Sequence, residues 1–290
     1  MSSLFKTAEG KAALLGWYDR FRARVPAATA TREVQTRYGK THVLVGGRED
    51  APPLVLLHGA MASSAHALVE LAPLLTAFRV YAVDVIGQSV KSADTRLRVD
   101  DDSYGRWLDE VMEQLGLARA RVVGVSWGGF VTIRLAAYAP QRIERLSLLV
   151  PAGVVTGPKW AGFVKLGWPM TRYIMSPSPK RLEALVEHLL TTRDDDWVPF
   201  LGEAFKTYDL RRMSIPALAR PEELAAFEAP VQVLAAAQDV SFPGRALLDR
   251  AGKLFRRVEH TELIEGAKHC PPTNDAFRAW LGERMLRFLA

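Results

Sequence analysis

The chain has one cysteine, no long apolar run and no block of like charge, and each shortage removes a class of protein. A single cysteine, Cys270, in 290 residues excludes an internal disulfide and leaves a stapled secreted design unsupported. No run approaches the ~18 consecutive apolar residues of a membrane span, so stable membrane insertion is not expected. Residues 1–24 are amphipathic, with Glu9 and Asp19 set among basic residues. They lack the continuous apolar core and small-residue cleavage site of a signal peptide, which predicts a cytoplasmic protein. The net charge of +6 is a modest excess, and its short basic pairs, such as Arg211-Arg212 and Arg256-Arg257, have acids nearby. That pattern describes a solvated face, not a nucleic-acid surface. No His/Cys/Asp/Glu spacing suits a metal, and no G-x-G-x-x-G or phosphate loop suits a nucleotide, so no cofactor is expected.

What is present is an alternation of strand-like and helix-like segments with ordinary globular composition, 49% hydrophobic and 24% charged. Strands are expected over 33–47 (two, joined by a turn at Gly39-Lys40), at Leu54-Val55-Leu56-Leu57, 79–84, 122–125, 143–150, 231–237 and 257–264. Helices are expected near 65–77, 101–115, from 127 to the stop at Pro140, near 244–255 and near 272–289. Between 153 and 225 strands disappear and aromatic-rich helical segments take over. Alternating β and α predicts an α/β architecture, a mostly parallel sheet with helices on both faces. The expected division is a core of residues 1–152 and 226–290 interrupted by a helical insertion, 153–225. No internal repeat or low-complexity linker is evident.

The most informative stretch is Arg121-Val122-Val123-Gly124-Val125-Ser126-Trp127-Gly128-Gly129-Phe130. A β-branched run leads into Ser126, and an apolar, Ala-rich helical run leaves it. Gly124 and Gly128 flank the serine in the G-x-S-x-G pattern of a nucleophile elbow. A serine on so sharp a turn needs neighbours without Cβ atoms, or strand and helix would collide. At this chain's Gly and Ser content the pattern occurs by chance roughly 0.07 times. The strand-before, helix-after context therefore carries the argument.

With Leu56-Leu57-His58-Gly59, Asp84-Val85-Ile86-Gly87-Gln88-Ser89, the Ser126 elbow and a late Asp and His, the chain resembles the α/β-hydrolase fold. It looks closest to the cofactor-free serine carboxylesterase-like members with a helical cap. The resemblance covers nearly the whole chain and implies an eight-stranded, mostly parallel sheet. It implies an oxyanion hole made by the backbone N–H groups of Ala60 (Met61 being the next choice) and Trp127. His58 then serves to hold the loop. In the family order the acid follows the nucleophile and precedes the base. Asp239, just beyond the apolar run 231–237, meets that requirement, although Ala235-Ala236-Ala237-Gln238 replaces the usual Gly-rich turn. Of the two histidines beyond it, His260 lies within a strand, and His269 follows in the loop where it can reach Ser126. His269 is therefore the expected base, and His42, His66 and His188 are read as structural or exposed. Cys270 is read as a buried apolar residue.

A serine at the elbow argues against the aspartate-dependent epoxide hydrolases and haloalkane dehalogenases of this fold. The expected reaction is cleavage of a carboxylic ester, or a related acyl bond, of a small apolar substrate through an acyl-enzyme on Ser126. C–C bond hydrolysis and peroxyacid formation on the same residues remain open, as does a non-catalytic small-molecule-binding role. Met61, Trp160 and Trp168 are the expected substrate-binding residues. The partner is a small molecule, not nucleic acid, and the chain is expected as a monomer or homodimer.

Overall fold

The computed structural model describes residues 3–290; Met1 and Ser2, the start of the amphipathic N-terminal stretch, lie outside the described residues. Eight strands form one sheet in the order β1-β2-β4-β3-β5-β6-β7-β8. They are β1 (Thr29–Thr36), β2 (Gly39–Gly46), β3 (Pro53–Leu57), β4 (Arg79–Val83), β5 (Ala120–Val125), β6 (Ile143–Leu149), β7 (Val231–Ala236) and β8 (Val258–Ile264). From β4 to β8 neighbouring strands run parallel, while β1 and β2 form an antiparallel hairpin and β2 joins β4 antiparallel. The hairpin turn falls on Arg37-Tyr38, two residues before the expected Gly39-Lys40. Gly39 instead opens β2 at φ 121°, paired with Thr36, a backbone geometry that an L side chain resists.

Strand alternation divides the core in two. Leu54 and Leu56 of β3 join one apolar cluster, and Val55 and Leu57 join the other. The first face is covered by α1 (Ala8–Ala23), α2 (Ser64–Glu70) and α10 (Asp275–Leu289). The second is covered by α3 (Ser103–Gln114), α4 (Trp127–Tyr138) and α9 (Gly244–Leu254). α1 starts where the Thr7 hydroxyl accepts from the Gly10 N–H. α2 is shorter than the sequence suggests: Pro73, which has no N–H to donate, converts the expected continuation into a 3₁₀ turn, Ala72–Thr76.

Between β6 and β7 the chain is helical. It runs through α5 (Lys159–Gly162), a π-helical turn (Phe163–Gly167), α6 (Trp168–Met175), α7 (Pro179–Val186) and α8 (Trp197–Thr207). Phe200, Ala204 and Phe205 of α8 are buried in the first core cluster with Tyr18 and Phe21 of α1. Phe5 bridges Tyr208, their rings 5.1 Å apart. The N-terminal helix thus packs on the inserted helices as well as on the sheet. Among the described residues no helix is long and apolar enough to cross a membrane.

Candidate active site

Ser126 sits between β5 and α4 at φ 50°, ψ −111°, a conformation costly for any residue with a Cβ. The two flanking glycines are required by contact. A Cβ on Gly124 would lie 2.7 Å from the Gly128 carbonyl oxygen and from Thr132 Oγ1. A Cβ on Gly128 would overlap the Leu57 carbonyl oxygen and lie 2.8 Å from that of His58. The elbow therefore presses α4 onto the end of β3. Trp127 opens α4, so its N–H is one of the first-turn amides without an intrahelical acceptor.

The loop after β3 wraps over the serine: the Cβ position of Gly59 is 3.4 Å from Ser126 Cβ. Ala60 and Met61 follow, Met61 at φ 60°. His58 holds this loop from beneath, its Nδ1–H donating to the Gly59 carbonyl at 2.6 Å and its Nε2 accepting from the Val85 N–H at 2.9 Å. Complete burial lowers its pKa, which keeps it in that neutral form. Asp84 braces the same region. Its Oδ1 accepts from the Ser64 N–H (3.0 Å) and Ser89 Oγ–H (2.5 Å), and its Oδ2 from His42 Nδ1–H (2.7 Å) and Ser64 Oγ–H (2.5 Å). Burial opposes this charge, but the His42 hydrogen bond and the other donors outweigh it, so Asp84 stays below the usual carboxylate range.

On the other side of Ser126, its Oγ lies 2.9 Å from His269 Nε2, and His269 Nδ1 lies 2.7 Å from Asp239 Oδ2. The Asp239 side chain is fully enclosed. Its second oxygen accepts the backbone N–H groups of Ser241 (2.7 Å) and Phe242 (3.0 Å), which fix its orientation. No glycine is needed before it, because the chain turns after β7 with the Asp239 N–H reaching back to the Ala236 carbonyl. His269 is held by its own loop. Cys270 N–H donates to the Leu189 carbonyl, and the Cys270 carbonyl accepts from Thr191 N–H and Oγ–H. Burial disfavours the imidazolium, but the charge and hydrogen bond of Asp239 more than offset it, and the His269 pKa is raised. Burial, helped by the nearby Asp239 and Glu70 charges, pushes the Cys270 thiol up to about 12, so it stays protonated.

These groups open onto a cavity of about 340 Å³. Met61 lines it, beside Ala60 and Trp127. Trp160 and Trp168, expected as substrate contacts, do not: they are 76% and 52% exposed. The helix that carries them turns its aromatic stripe to solvent. Between β6 and β7 the pocket aromatics come instead from α8, whose Trp197, Phe200, Leu201 and Phe205 share one face, and Phe242 and Phe277 add rings from outside that stretch. Their spacing of three, four and eight residues is the signal that could have found them. Glu70, also unforeseen, lies in the cavity wall, where its carboxylate accepts from Arg278 Nε (3.0 Å) and Trp197 Nε1 (2.8 Å). His66 is buried between the Phe21 and Phe200 rings, His42 is buried, His188 is half-buried, and His260 lies away from the cavity in β8.

The comparisons agree with this architecture. Residues 52–185 match the family model described as alpha/beta hydrolase fold. The chain is 29% identical over 265 residues to the carboxylesterase nap of Bacillus subtilis, covering 88% of this chain and 85% of that protein. It is 26% identical over 282 residues to carboxylesterase YbfK of the same organism, covering 94% and 92%. The crystal structure of a naproxen esterase from Bacillus subtilis superposes with a TM-score of 0.83 over 98% of this chain and all of that one, at 24% identity. The chain has the α/β-hydrolase fold and is similar in sequence to carboxylesterases.

Proposed function

We propose that the protein is a serine carboxylesterase that cleaves esters of small apolar acids or alcohols through an acyl-enzyme on Ser126. The observation that carries this reading is the unbroken hydrogen-bonded series Asp239–His269–Ser126 at the wall of a mostly apolar cavity. Ser126 Oγ attacks the ester carbonyl carbon as its proton passes to His269 Nε2. The negative charge on the carbonyl oxygen is met by the N–H groups of Trp127 and Ala60, fixed dipoles that need no reorganisation. His269 then returns the proton to the departing alkoxide, leaving the acyl group on Ser126. A water attacks that ester, its proton taken by the same imidazole, and collapse releases the acid and restores the serine hydroxyl. Asp239 holds the Nδ1-protonated tautomer and stabilises the imidazolium in each half-reaction.

In this reading residues 153–225 act as a cap over the core. α8 contributes the aromatic wall, so acyl or alcohol size is set there. A volume of about 340 Å³ is at the small end of ligand pockets. The test is hydrolysis of p-nitrophenyl esters from acetate to dodecanoate by wild type and Ser126→Ala. Saturable turnover with an optimum at short to medium chains, lost in the variant, supports the reading. A variant as active as wild type would sink it; a wild type that binds esters without turning them over would favour a binding protein.

A further inference from the structure

The helical segment that opens the 153–225 insertion has its amphipathicity inverted. Over α5, the π-turn and α6, residues 160, 163, 164, 168 and 175 recur at intervals of one face, and all are exposed and apolar: Trp160 76%, Phe163 53%, Val164 46%, Trp168 52% and Met175 79%. The opposite side carries Tyr173, buried, and Met170, packed against the core. At 1.5 Å per residue the stripe is roughly 22 Å long. A contiguous exposed patch of this kind marks an interaction surface.

Its charges identify the occupant. Residues 153–225 contain ten Lys and Arg and nine Asp and Glu, a near balance that conceals segregation. All nine acids lie from Glu183 onward, and no Asp or Glu occurs between Glu144 and Glu183. The first part holds Lys159, Lys165, Arg172, Lys180 and Arg181, of which the first four are exposed and the first three lie on the same helical run as the stripe. Aromatics flanked by cations, with no acid on the same helical run and the acids of the neighbouring α7 and its C-cap, Glu183 and Glu187, paired with Arg193, suit a surface that is apolar beneath and anionic above. We infer that this face docks the protein on anionic phospholipid bilayers, lying in the headgroup layer without crossing it. Residues just before the segment and just after α7 bond to the loops that carry Asp239 and His269. Gly157 N–H donates to the Ser241 carbonyl at 2.7 Å, and residues 189–191 bond Cys270.

The inference stands independently of the esterase chemistry, so it is tested on the full chain with and without Ser126→Ala. Protein is sedimented with sucrose-loaded vesicles of phosphatidylcholine alone or with 30 mol% phosphatidylglycerol, in low salt and in 0.5 M NaCl. Both forms should pellet with the anionic vesicles in low salt, and high salt should release them. The triple variant Lys159→Gln/Lys165→Gln/Arg172→Gln should bind on the order of a hundredfold more weakly, each cation near an anionic surface contributing about fivefold. Trp160→Ser/Trp168→Ser should lose at least about tenfold, because each aromatic buries apolar area in the interface. Both variants change exposed side chains only, and an unchanged melting temperature verifies the fold. Wild type remaining in the supernatant with anionic vesicles, or both variants binding like wild type, overturns the inference. So does a wild-type dimer that the tryptophan variant converts to monomer while vesicle binding is absent, which would assign the face to a second copy.

Discussion

Replacing Gly128 with alanine should damage both stability and chemistry, and the structure gives the size of each effect. The new Cβ would overlap the Leu57 carbonyl oxygen and stand 2.7 Å from the Leu57 carbonyl carbon and 2.8 Å from the His58 carbonyl oxygen. All three are backbone atoms at the end of a central strand, so no side chain can rotate away. Relief requires α4 and β3 to separate by several tenths of an ångström. Forced overpacking of this kind costs about 1–3 kcal/mol, or roughly 2–10 °C in melting temperature. The same displacement moves Ser126, one residue before Trp127, relative to His269 Nε2, now 2.9 Å away. A misplacement approaching 1 Å costs about a hundredfold in turnover. Thermal unfolding and p-nitrophenyl butyrate kinetics read the two effects. Gly16→Ala is the control: nothing lies within 4 Å of its Cβ position. Within α1 that change should stabilise by about 0.5–1 kcal/mol with turnover intact. A Gly128→Ala protein with wild-type melting and turnover would refute the close packing of the elbow.

Activity should rise with pH through the raised pKa of His269, because only the neutral imidazole can take the serine proton. Asp239→Asn removes the charge that raises it, so the midpoint should move down while kcat falls by about 10³–10⁴; a pH–rate profile on both proteins checks this. The same raised pKa adds stability that is fully present below the unfolded histidine value of about 6.5 and is lost as pH rises through the folded value. Wild type should therefore lose part of a stability increment over that window that Asp239→Asn never has, measurable by urea unfolding across pH. Phe200→Ala should enlarge the cavity at the cost of about 3–5 kcal/mol, since the ring is buried against His66 at 4.1 Å and Trp197 at 5.7 Å. Its ester chain-length optimum should shift to longer acids, and an unchanged profile would remove α8 from the specificity argument.

Local signals were legible where one physical requirement dominates. The run Leu54–Leu57 reads as a buried strand because both faces of β3 are covered, and the elbow reads from glycines that contact alone demands. The sheet and its helices follow from the alternation of such segments. Asp239, His269 and Ser126, far apart in the chain, lie within hydrogen-bond reach, as an order of residues along successive strand ends allows. Boundaries were less legible. α3 begins at Ser103 because Asp101 Oδ1 accepts its N–H, and α10 begins after Asn274, which caps Phe277. The misassigned tryptophans have a clear cause. An aromatic stripe at helical spacing implies burial, but which face a helix turns inward is decided by its neighbours. In α8 the stripe lines the cavity, whereas from Trp160 to Met175 it faces solvent. Glu70 was invisible because its partners, Trp197 and Arg278, come from two distant helices.

The most direct test of the account is to react wild type and Ser126→Ala with a fluorophosphonate and read the products by intact mass. Phosphonylation requires an activated nucleophile, the role proposed for Ser126 with His269 and Asp239, and it forms a stable analogue of the proposed acyl-enzyme. The account predicts one adduct on wild type, mapped to the peptide containing Ser126, and none on the variant. An adduct of equal yield on Ser126→Ala, or an unmodified wild type that still hydrolyses esters, would contradict it.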